Sequence, residues 1–255
     1  MKDDISHVSP AKTIAVACLV RGAERDWLSS CERFIDSYRR NRPGIMHSLY
    51  VIFTEFVRDA DLIKAKDLFH NVCHSPVFLD DNSFDIGAYI EWANMIEEEL
   101  ICVFNTASEI LAGDWLRKFA VNLMIPNVGL VGATASYERF NKLNNNFLTF
   151  PNIHIRSNAF MIDRALFCRI TQRVIIASKI DAFHFESGSQ SLTRQVLATG
   201  KDILLVGRNG RGYSPKFWAT SDTFRQGRQT NLLVADNQTR KFLALPWNEK
   251  KGSFC

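Results

Sequence analysis

The sequence predicts an α/β protein with a mostly parallel central sheet flanked by helices and with a C-terminal extension. Short apolar, β-rich runs alternate with helical-period segments over the first two thirds of the 255 residues. This alternation is typical of parallel sheets with right-handed crossovers. The composition, 46% hydrophobic and 23% charged, is that of a globular protein and excludes a disordered or coiled-coil chain. No uncharged apolar run reaches the roughly 18 residues of a membrane-spanning helix.

Five strands are predicted before residue 137, and each is a short apolar run between polar or turn-forming segments. They cover residues 13–20, 48–56, 75–80, 100–105 and 128–136. The first, TIAVACLV, is apolar throughout, as expected of a strand that is buried on both faces.

Four helices separate these strands. Apolar residues from Trp27 to Tyr38 share one helical face, and the NRPG segment after them ends the first helix. The other three helices are predicted at 59–69, 84–99 and 114–124.

The regular alternation stops after the fifth strand. Residues 138–152 are polar and rich in Asn, and a segment of this length and composition is typical of a functional loop. A strand is predicted at 153–163, followed by a short helix. In FHFESGSQSLTRQVLATG we predict the end of a strand and then a helix from about Ser187, which Gly200 terminates.

We therefore predict one α/β domain at 1–207 and a basic extension at 208–255 that packs on or near the active site. The net charge of +4 is uneven. From Lys201 onward there are ten Lys or Arg against four Asp or Glu, which leaves −2 for the first 200 residues. Such a basic segment suits a phosphate, a nucleic acid or a membrane surface, or is a solvated face.

Several common chemistries have no motif in this chain. The sequence contains no GxxxxGK[ST], no GxGxxG after the first strand and no GxSxG, which argues against P-loop enzymes, dinucleotide-dependent dehydrogenases and α/β-hydrolases. GRNGRG at 207–212 is interpreted as a basic turn. His70, Cys73 and His74 have the spacing of metal ligands, but a fourth ligand is not apparent.

The six cysteines are scattered without a CxxC pair, and the first residues contain no apolar signal-peptide core. Both features predict reduced thiols and a cytoplasmic protein.

In open α/β sheets, ligands bind beyond the carboxyl ends of the strands. The candidate functional residues are therefore the polar ones that follow each predicted strand.

The order of strands, the polar NTASE segment after the fourth strand and the acid of FHFESGSQSLTRQ resemble the GT-A fold of nucleotide-sugar glycosyltransferases. Within this Rossmann-like fold they are most similar to the inverting, family-2-like enzymes that build polysaccharides. The resemblance covers roughly residues 12–207. It implies a UDP-, GDP- or dTDP-sugar donor whose site comprises Arg21, Glu55, Asp81, Asp85, Asn105, Thr106 and Ser108.

The chain departs from the family where an Asp-x-Asp motif usually holds a divalent metal. NTASE leaves only Glu109 as a weak carboxylate candidate for Mn²⁺ or Mg²⁺, which prefer hard oxygen ligands. The alternatives are weak metal binding, loss of activity, or a metal-independent site in which basic residues neutralise the diphosphate. The candidates for the last role are Arg208, Arg211, Arg225 and Arg228.

The resemblance implies that Glu186 is the general base that deprotonates the acceptor hydroxyl during an inverting displacement. We expect Glu186 at the start of a helix, where the helix dipole favours the charged carboxylate. The competing interpretation of Glu186 is a helix-capping acid. His184 is expected to be a packed histidine. Phe217 and Trp218 are expected to cover the core rather than stack on a sugar ring.

The predicted function is sugar transfer to a glycan or lipid-linked acceptor, in bacterial surface polysaccharide or glycan biosynthesis. The alternative is a non-catalytic GT-A-like domain that binds nucleotide sugar or glycan, or acts as a scaffold. A nucleotidyltransferase is disfavoured because the Gly-rich basic loop after the first strand is missing. No nucleic-acid partner is predicted. The basic extension leaves open peripheral contact with the inner face of a membrane.

Overall fold

The computed structural model describes residues 12–79, 84–138, 149–225 and 227–251. The strands in these ranges are β1 (Ile14–Arg21), β2 (Ser48–Thr54), β3 (Ser75–Phe78), β4 (Leu100–Phe104), β5 (Glu109–Ile110), β6 (Val128–Gly132), β7 (Ala135–Ser136), β8 (His154–Ile155), β9 (Ala159–Asp163), β10 (Asp202–Val206), β11 (Gly212–Tyr213) and β12 (Val234–Ala235). The α-helices are α1 (Trp27–Arg40), α2 (Asp59–Phe69), α3 (Phe84–Met95), α4 (Trp115–Leu123), α5 (Arg164–Thr171), α6 (Lys179–Ser187), α7 (Leu192–Ala198), α8 (Asn237–Ala244) and α9 (Trp247–Lys251).

The central sheet has eight strands in the order β11-β10-β6-β9-β4-β1-β2-β3. The block β3-β2-β1-β4 and the pair β6-β10 are parallel. Strand β9 lies antiparallel between β4 and β6, and β11 is antiparallel at one edge. The predicted fold class, a mostly parallel sheet flanked by helices, is confirmed.

Two apolar cores lie on opposite faces of the sheet, and β1 contributes alternate residues to both. Val16 and Cys18 face the core that includes Phe34, whereas Ala17 and Leu19 face the other core. Helices α1, α2 and α4 cover the first face, and α3, α5 and α7 cover the second. This two-sided burial is the physical reason that β1 is apolar throughout.

Three predicted segments differ in the structure. The strands expected at 128–136 and 153–163 are each interrupted, because β6 ends at Gly132 and β9 begins only at Ala159. The strand end expected at 183–186 is wrong, since those residues belong to α6. Ser178 begins that helix by accepting a hydrogen bond from the backbone N–H of Asp181, which is a standard N-cap interaction.

The residues after 207 share the core of the preceding domain. Strand β11 joins the central sheet and β12 pairs with β5, while a 3₁₀ helix at Pro215–Thr220 places Trp218 at 1% exposure. GRNGRG is confirmed as the turn between β10 and β11. In the part of the chain that the structure describes, none of the helices combines the length and apolarity required to traverse a bilayer.

Candidate functional site

A cluster of three carboxylates surrounds one guanidinium at the carboxyl end of β1. The Nη2 atom of Arg21 lies 2.5 Å from Oε1 of Glu55, and its Nη1 atom lies 3.1 Å from Oδ1 of Asp85 and 3.2 Å from Oε1 of Glu24. Arg21 also lies over the ring of Phe84, and only 12% of its side chain is exposed. We call these five residues the acidic pocket. Arg21, Glu55 and Asp85, three of the predicted donor residues, are thus brought together here.

The close approach of two strand ends builds this pocket. The backbone N–H of Gly22 donates to the carbonyl of Thr54 at 2.9 Å. A Cβ at position 22 would lie 2.7 Å from both the Glu55 carbonyl oxygen and the Phe56 ring, so only glycine fits this contact. Glu55 itself has φ of +57°, and this left-handed turn carries its side chain back to Arg21.

Burial dominates the electrostatics of the acidic pocket. Burial raises the pKa of Asp85 to about 6, and the charges of Glu24 and Glu186 add to the rise while Arg21 opposes it. Burial lowers the pKa of Arg21, but the hydrogen bond to Glu55 and the neighbouring acids raise it above its ordinary value. Nε of Arg21 and Oε2 of Glu55 are buried without a partner among the described residues.

Glu186 lies in the last turn of α6 and is held by the segment between β8 and β9. Its Oε2 atom accepts a hydrogen bond from the backbone N–H of Ser157 at 3.0 Å and a second one from the Ser157 hydroxyl. Nearby, Nδ2 of Asn152 donates to the carbonyl of Ser187 at 2.7 Å. The expected helix-start position of Glu186 is therefore wrong, and the Ser157 donors rather than a helix dipole support its charge.

His154 is a neighbour of Glu186 that the sequence interpretation missed. Its Nδ1 atom donates to the carbonyl of Asn152 at 2.8 Å. Burial lowers the pKa of His154, although the charge of Glu186 opposes this change. A neutral imidazole with its proton on Nδ1 leaves Nε2 as a hydrogen-bond acceptor. The sequence offered one signal for His154, which is that it begins the short HIR run shortly after the Asn-rich loop.

Side chains of the turn after β4 bond to one another and to the neighbouring segments of the chain. The Ser108 hydroxyl donates to Oδ1 of Asn105 at 2.9 Å and to the carbonyl of Asn158 at 3.0 Å. Ser108 is 0% exposed, and its predicted contact with the donor stays a prediction. Oγ1 of Thr106 accepts from the backbone N–H of Arg21 at 3.2 Å. Thr106 thus borders the acidic pocket, whereas Asn105 bonds to Ser108 and Asn158.

The same turn does not fit a hard divalent cation. Glu109 lies on β5, with its Oε2 atom 3.5 Å from Nη1 of Arg240 and 4.0 Å from Nε of Arg33. Two guanidiniums therefore lie against Oε2 of the carboxylate that was the metal candidate, and they compete there with Mn²⁺ or Mg²⁺, which binds oxygen ligands. Within the described ranges, no group of three or more His, Cys, Asp or Glu residues is arranged to hold a metal ion. Asp81 lies outside the described residues.

The four predicted phosphate-binding arginines lie on two separate segments. Arg208 and Arg211 are exposed on the turn between β10 and β11, and Arg211 lies over the Tyr213 ring at 5.3 Å. Arg225 pairs with Glu138 and lies against Phe224, while Arg228 is exposed. The basic residue of the C-terminal segment that reaches the β4 turn is instead Arg240, whose Nη2 donates to the Ala107 carbonyl at 3.0 Å.

A buried ion pair, also missed from the sequence, anchors α8 to the site. Nη1 of Arg156 lies 2.8 Å from Oδ2 of Asp236, which is 0% exposed, and its guanidinium lies 4.3 Å from the Phe224 ring centroid. Asp236 also caps α8 by accepting from the backbone N–H of Thr239. The D-N-Q-T capping pattern was a sequence signal for the helix, but its arginine partner is distant in the chain.

Comparison with known proteins supports the fold at low sequence identity. No protein-family model matches the chain, and no curated protein sequence matches it. A mannosyltransferase from Pyrobaculum calidifontis, solved in complex with GDP-Man and Mn²⁺, is 12% identical with a TM-score of 0.51. The match covers 77% of this chain and 55% of that one, so this chain spans about half of the mannosyltransferase.

Two further solved structures are similar over a large part of this chain. A 4-diphosphocytidyl-2C-methyl-D-erythritolsynthase from Anaerococcus prevotii is 14% identical, with 76% of this chain and 88% of that chain covered and a TM-score of 0.48. A glucosyl-3-phosphoglycerate synthase from Mycobacterium tuberculosis, in complex with Mn²⁺, UDP and phosphoglyceric acid, is 14% identical, with 61% and 57% covered and a TM-score of 0.42. With the sheet order and the mannosyltransferase likeness, the fold of this chain is GT-A-like.

Proposed function

We propose that this protein is a glycosyltransferase that moves a sugar from a nucleotide-sugar donor to an acceptor hydroxyl. The observation that carries the proposal is the gathering of carboxylates from separate elements at the carboxyl edge of a GT-A-like sheet. Glu55 and Asp85 hold Arg21, and Glu186 lies close enough to contribute to the raised pKa of Asp85. A buried acid with a raised pKa, such as Asp85, at a strand-end pocket is typical of sites that bind polar substrates and move protons.

In this proposal Glu186 is the general base of an inverting displacement. Its carboxylate accepts the proton of the acceptor hydroxyl as the oxygen attacks the anomeric carbon and the nucleoside diphosphate leaves. The two donors of Ser157 hold the carboxylate in one orientation. Asn152, which precedes β8, bonds to the end of α6. The orientation of a general base contributes to the reaction rate in addition to its affinity for the proton.

The nucleoside end of the donor is assigned to the acidic pocket. The free atoms there are one acceptor, Oε2 of Glu55, and one donor, Nε of Arg21. Ribose hydroxyls and base edges both donate and accept hydrogen bonds, and they satisfy buried groups of this kind. Asp85, Asn105 and Thr106 complete the proposed donor site. The resemblance to family-2-like enzymes favours a UDP-, GDP- or dTDP-sugar.

The departing diphosphate needs positive charge. Because Glu109 is occupied by Arg33 and Arg240, no step of the mechanism is assigned to Mn²⁺ or Mg²⁺ at the β4 turn. From the resemblance to family-2-like enzymes, we also propose a glycan or lipid-linked acceptor in bacterial surface polysaccharide synthesis. The proposed location is the cytoplasmic face of a membrane. The competing function is a non-catalytic nucleotide-sugar or glycan-binding domain, which the altered metal motif favours.

The first test is thermal stabilisation by UDP-, GDP-, dTDP- and CMP-sugars, each with and without Mn²⁺. A donor at about 100 times its Kd should raise the Tm by roughly 5 to 10 °C for a chain of this size. Stabilisation by one nucleotide supports a donor site. A flat response to every compound contradicts the proposal. Stabilisation that disappears when EDTA is added would show that donor binding requires a metal ion.

The second test is Glu186→Gln, which keeps shape and removes the base. We expect kcat to fall by about 10²- to 10⁴-fold, while the donor-induced Tm shift stays as in the wild type. Glu91→Gln is the matched control, since Glu91 is an exposed residue on α3, and it should retain full turnover. Normal turnover by Glu186→Gln would remove Glu186 from the base role. Donor binding without turnover in the wild type would favour the non-catalytic alternative.

A further inference from the structure

A basic cleft lies between the start of α1 and helix α8, beside the turn after β4. It has a volume of about 410 Å³, within the range of small-ligand sites. Four cations line it, and the only acids in the lining are Glu24 and Asp26. The four cations are Arg25, Arg33, Arg240 and Lys241.

Two of these cations have no counter-charge in the described structure. The side chains of Arg25 and Lys241 form no ion pair or hydrogen bond with any residue in the described ranges. Arg33 and Arg240 share a single carboxylate, that of Glu109, at 4.0 and 3.5 Å. Positive charge is therefore in excess in the cleft, and an anionic ligand would balance it.

The start of α1 adds backbone donors to the same cleft. Asp26 precedes the helix but makes no side-chain hydrogen bond to it. The N–H groups of Trp27 and Ser30 donate to the carbonyls of Glu24 and Asp26, which leaves those of Leu28 and Ser29 as the donors of the first turn. Ser29 and Ser30 of this turn line the cleft. The positive end of a 14-residue helix thus faces the cations, an arrangement that favours anions and phosphates in particular.

The basic cleft adjoins the acidic pocket and shares Glu24 with it. Glu24 lines the cleft and also lies 3.2 Å from Nη1 of Arg21. Thr106 lines the cleft too, and it accepts a hydrogen bond from the backbone of Arg21. Burial and the adjacent charge of Arg33 lower the pKa of Arg240, a cost that a bound anion would offset.

We propose that the basic cleft binds phosphate groups and that its ligand is the diphosphate of the nucleotide-sugar donor, in place of a metal-bound diphosphate. This inference rests on the proposed function, since the donor supplies the diphosphate. The cations of α1 and α8 hold the diphosphate on one side of Thr106, and the nucleoside lies in the acidic pocket on the other side. The same phosphate chemistry would suit a phosphorylated acceptor, which the experiment separates.

The experiment is calorimetric titration with inorganic pyrophosphate, UDP, GDP and the corresponding nucleosides, in the presence of EDTA. Arg240→Ala and Lys241→Ala should each weaken pyrophosphate binding by at least about tenfold, because each removes a charge-assisted contact. They should weaken the preferred nucleoside diphosphate equally and leave its nucleoside unchanged. Lys64→Ala, which removes an exposed cation on α2, is the control and should match the wild type.

The outcomes separate the possibilities. Lys241 is exposed, so Lys241→Ala remains informative if Arg240→Ala does not fold. Weakened pyrophosphate binding with unchanged nucleoside diphosphate binding would overturn the donor assignment and favour a phosphorylated acceptor. No pyrophosphate binding, or equal binding by all variants, would overturn the cleft as a phosphate site. Pyrophosphate binding that the variants weaken, without any nucleotide-sugar response, would leave the cleft standing and reject the proposed function.

Discussion

The acidic pocket and the basic cleft are adjacent but opposite in charge. The pocket gathers Glu24, Glu55 and Asp85 around one arginine, whereas the cleft gathers cations from α1 and α8. Thr106 lies between them. The proposed donor would use both environments, because its nucleoside needs hydrogen-bonding partners while its leaving diphosphate needs positive charge. The chain keeps these opposed requirements on two sides of one turn.

The buried Arg156–Asp236 pair links helix α8, which lines the basic cleft, to the segment that holds Glu186. Arg156 belongs to the segment that holds Glu186, through its neighbour Ser157. Asp236 caps α8, the helix that brings Arg240 to the cleft. Breaking the pair should therefore displace both the segment that holds Glu186 and the helix that carries Arg240.

The largest expected effect on stability follows Arg156→Met, which keeps the side-chain volume but leaves Asp236 buried without its partner. We expect the free energy of unfolding to fall by about 3 to 5 kcal/mol, measured by urea denaturation. The double variant Arg156→Met with Asp236→Asn should recover part of this loss, since Asn also caps helices. A single variant as stable as the wild type would show that the pair does not anchor α8.

A smaller effect is expected from Asp85→Asn in the acidic pocket. Because the pKa of Asp85 is raised from 3.8 to about 6, its contribution to stability is complete below about pH 4 and is lost as pH rises through about 6. The wild type should therefore lose up to about 3 kcal/mol relative to the variant across this range. Urea denaturation at several pH values measures the difference.

The control for this titration is Asp36→Asn, because Asp36 is an exposed acid on α1. Its stability profile should run parallel to that of the wild type between pH 4 and 7. If the Asp85→Asn profile is also parallel, the acidic pocket does not hold Asp85 in the environment that the structure describes.

The smallest expected effect is that of Ser157→Ala, which removes one of the two donors to Glu186. Ser157 is a positioning residue, so kcat should fall by about tenfold, the equivalent of roughly 1.4 kcal/mol. KM for the donor should not change, and Ser157→Thr should restore most of the rate. A change in KM alone would place Ser157 in substrate binding, and unaltered kinetics would show that the backbone donor suffices.

Regular elements with a simple burial pattern could be predicted from the sequence. Strand β1 is apolar because both its faces are buried, and α1 has one apolar stripe because only one face packs. Helix α6 was missed because the alternation in FHFE imitates a strand, while only Phe185 and Ser187 of that helix are buried.

The candidate site was predictable only in part. Arg21, Glu55 and Asp85 follow strands or begin a helix, so the rule that ligands bind at strand ends located them. Arg240 and Arg156 were not found, because their partners lie 133 and 80 residues away in the chain. Such pairs depend on tertiary packing and leave no local pattern. Likewise, the burial of the Ser108 side chain depends on its hydrogen bond to the carbonyl of Asn158, which lies 50 residues away in the chain.

The sequence by itself determined the α/β class, most strand and helix positions and the excess of positive charge after residue 200. These properties depend on local periodicity and composition. Only the tertiary structure decided where that charge acts. Packing of the C-terminal segment onto the domain buries Trp218 and directs Arg240, rather than Arg208 or Arg225, to the turn after β4. The physical reason is that burial of apolar side chains determines how the segment packs on the domain. That packing in turn determines where its charged side chains lie.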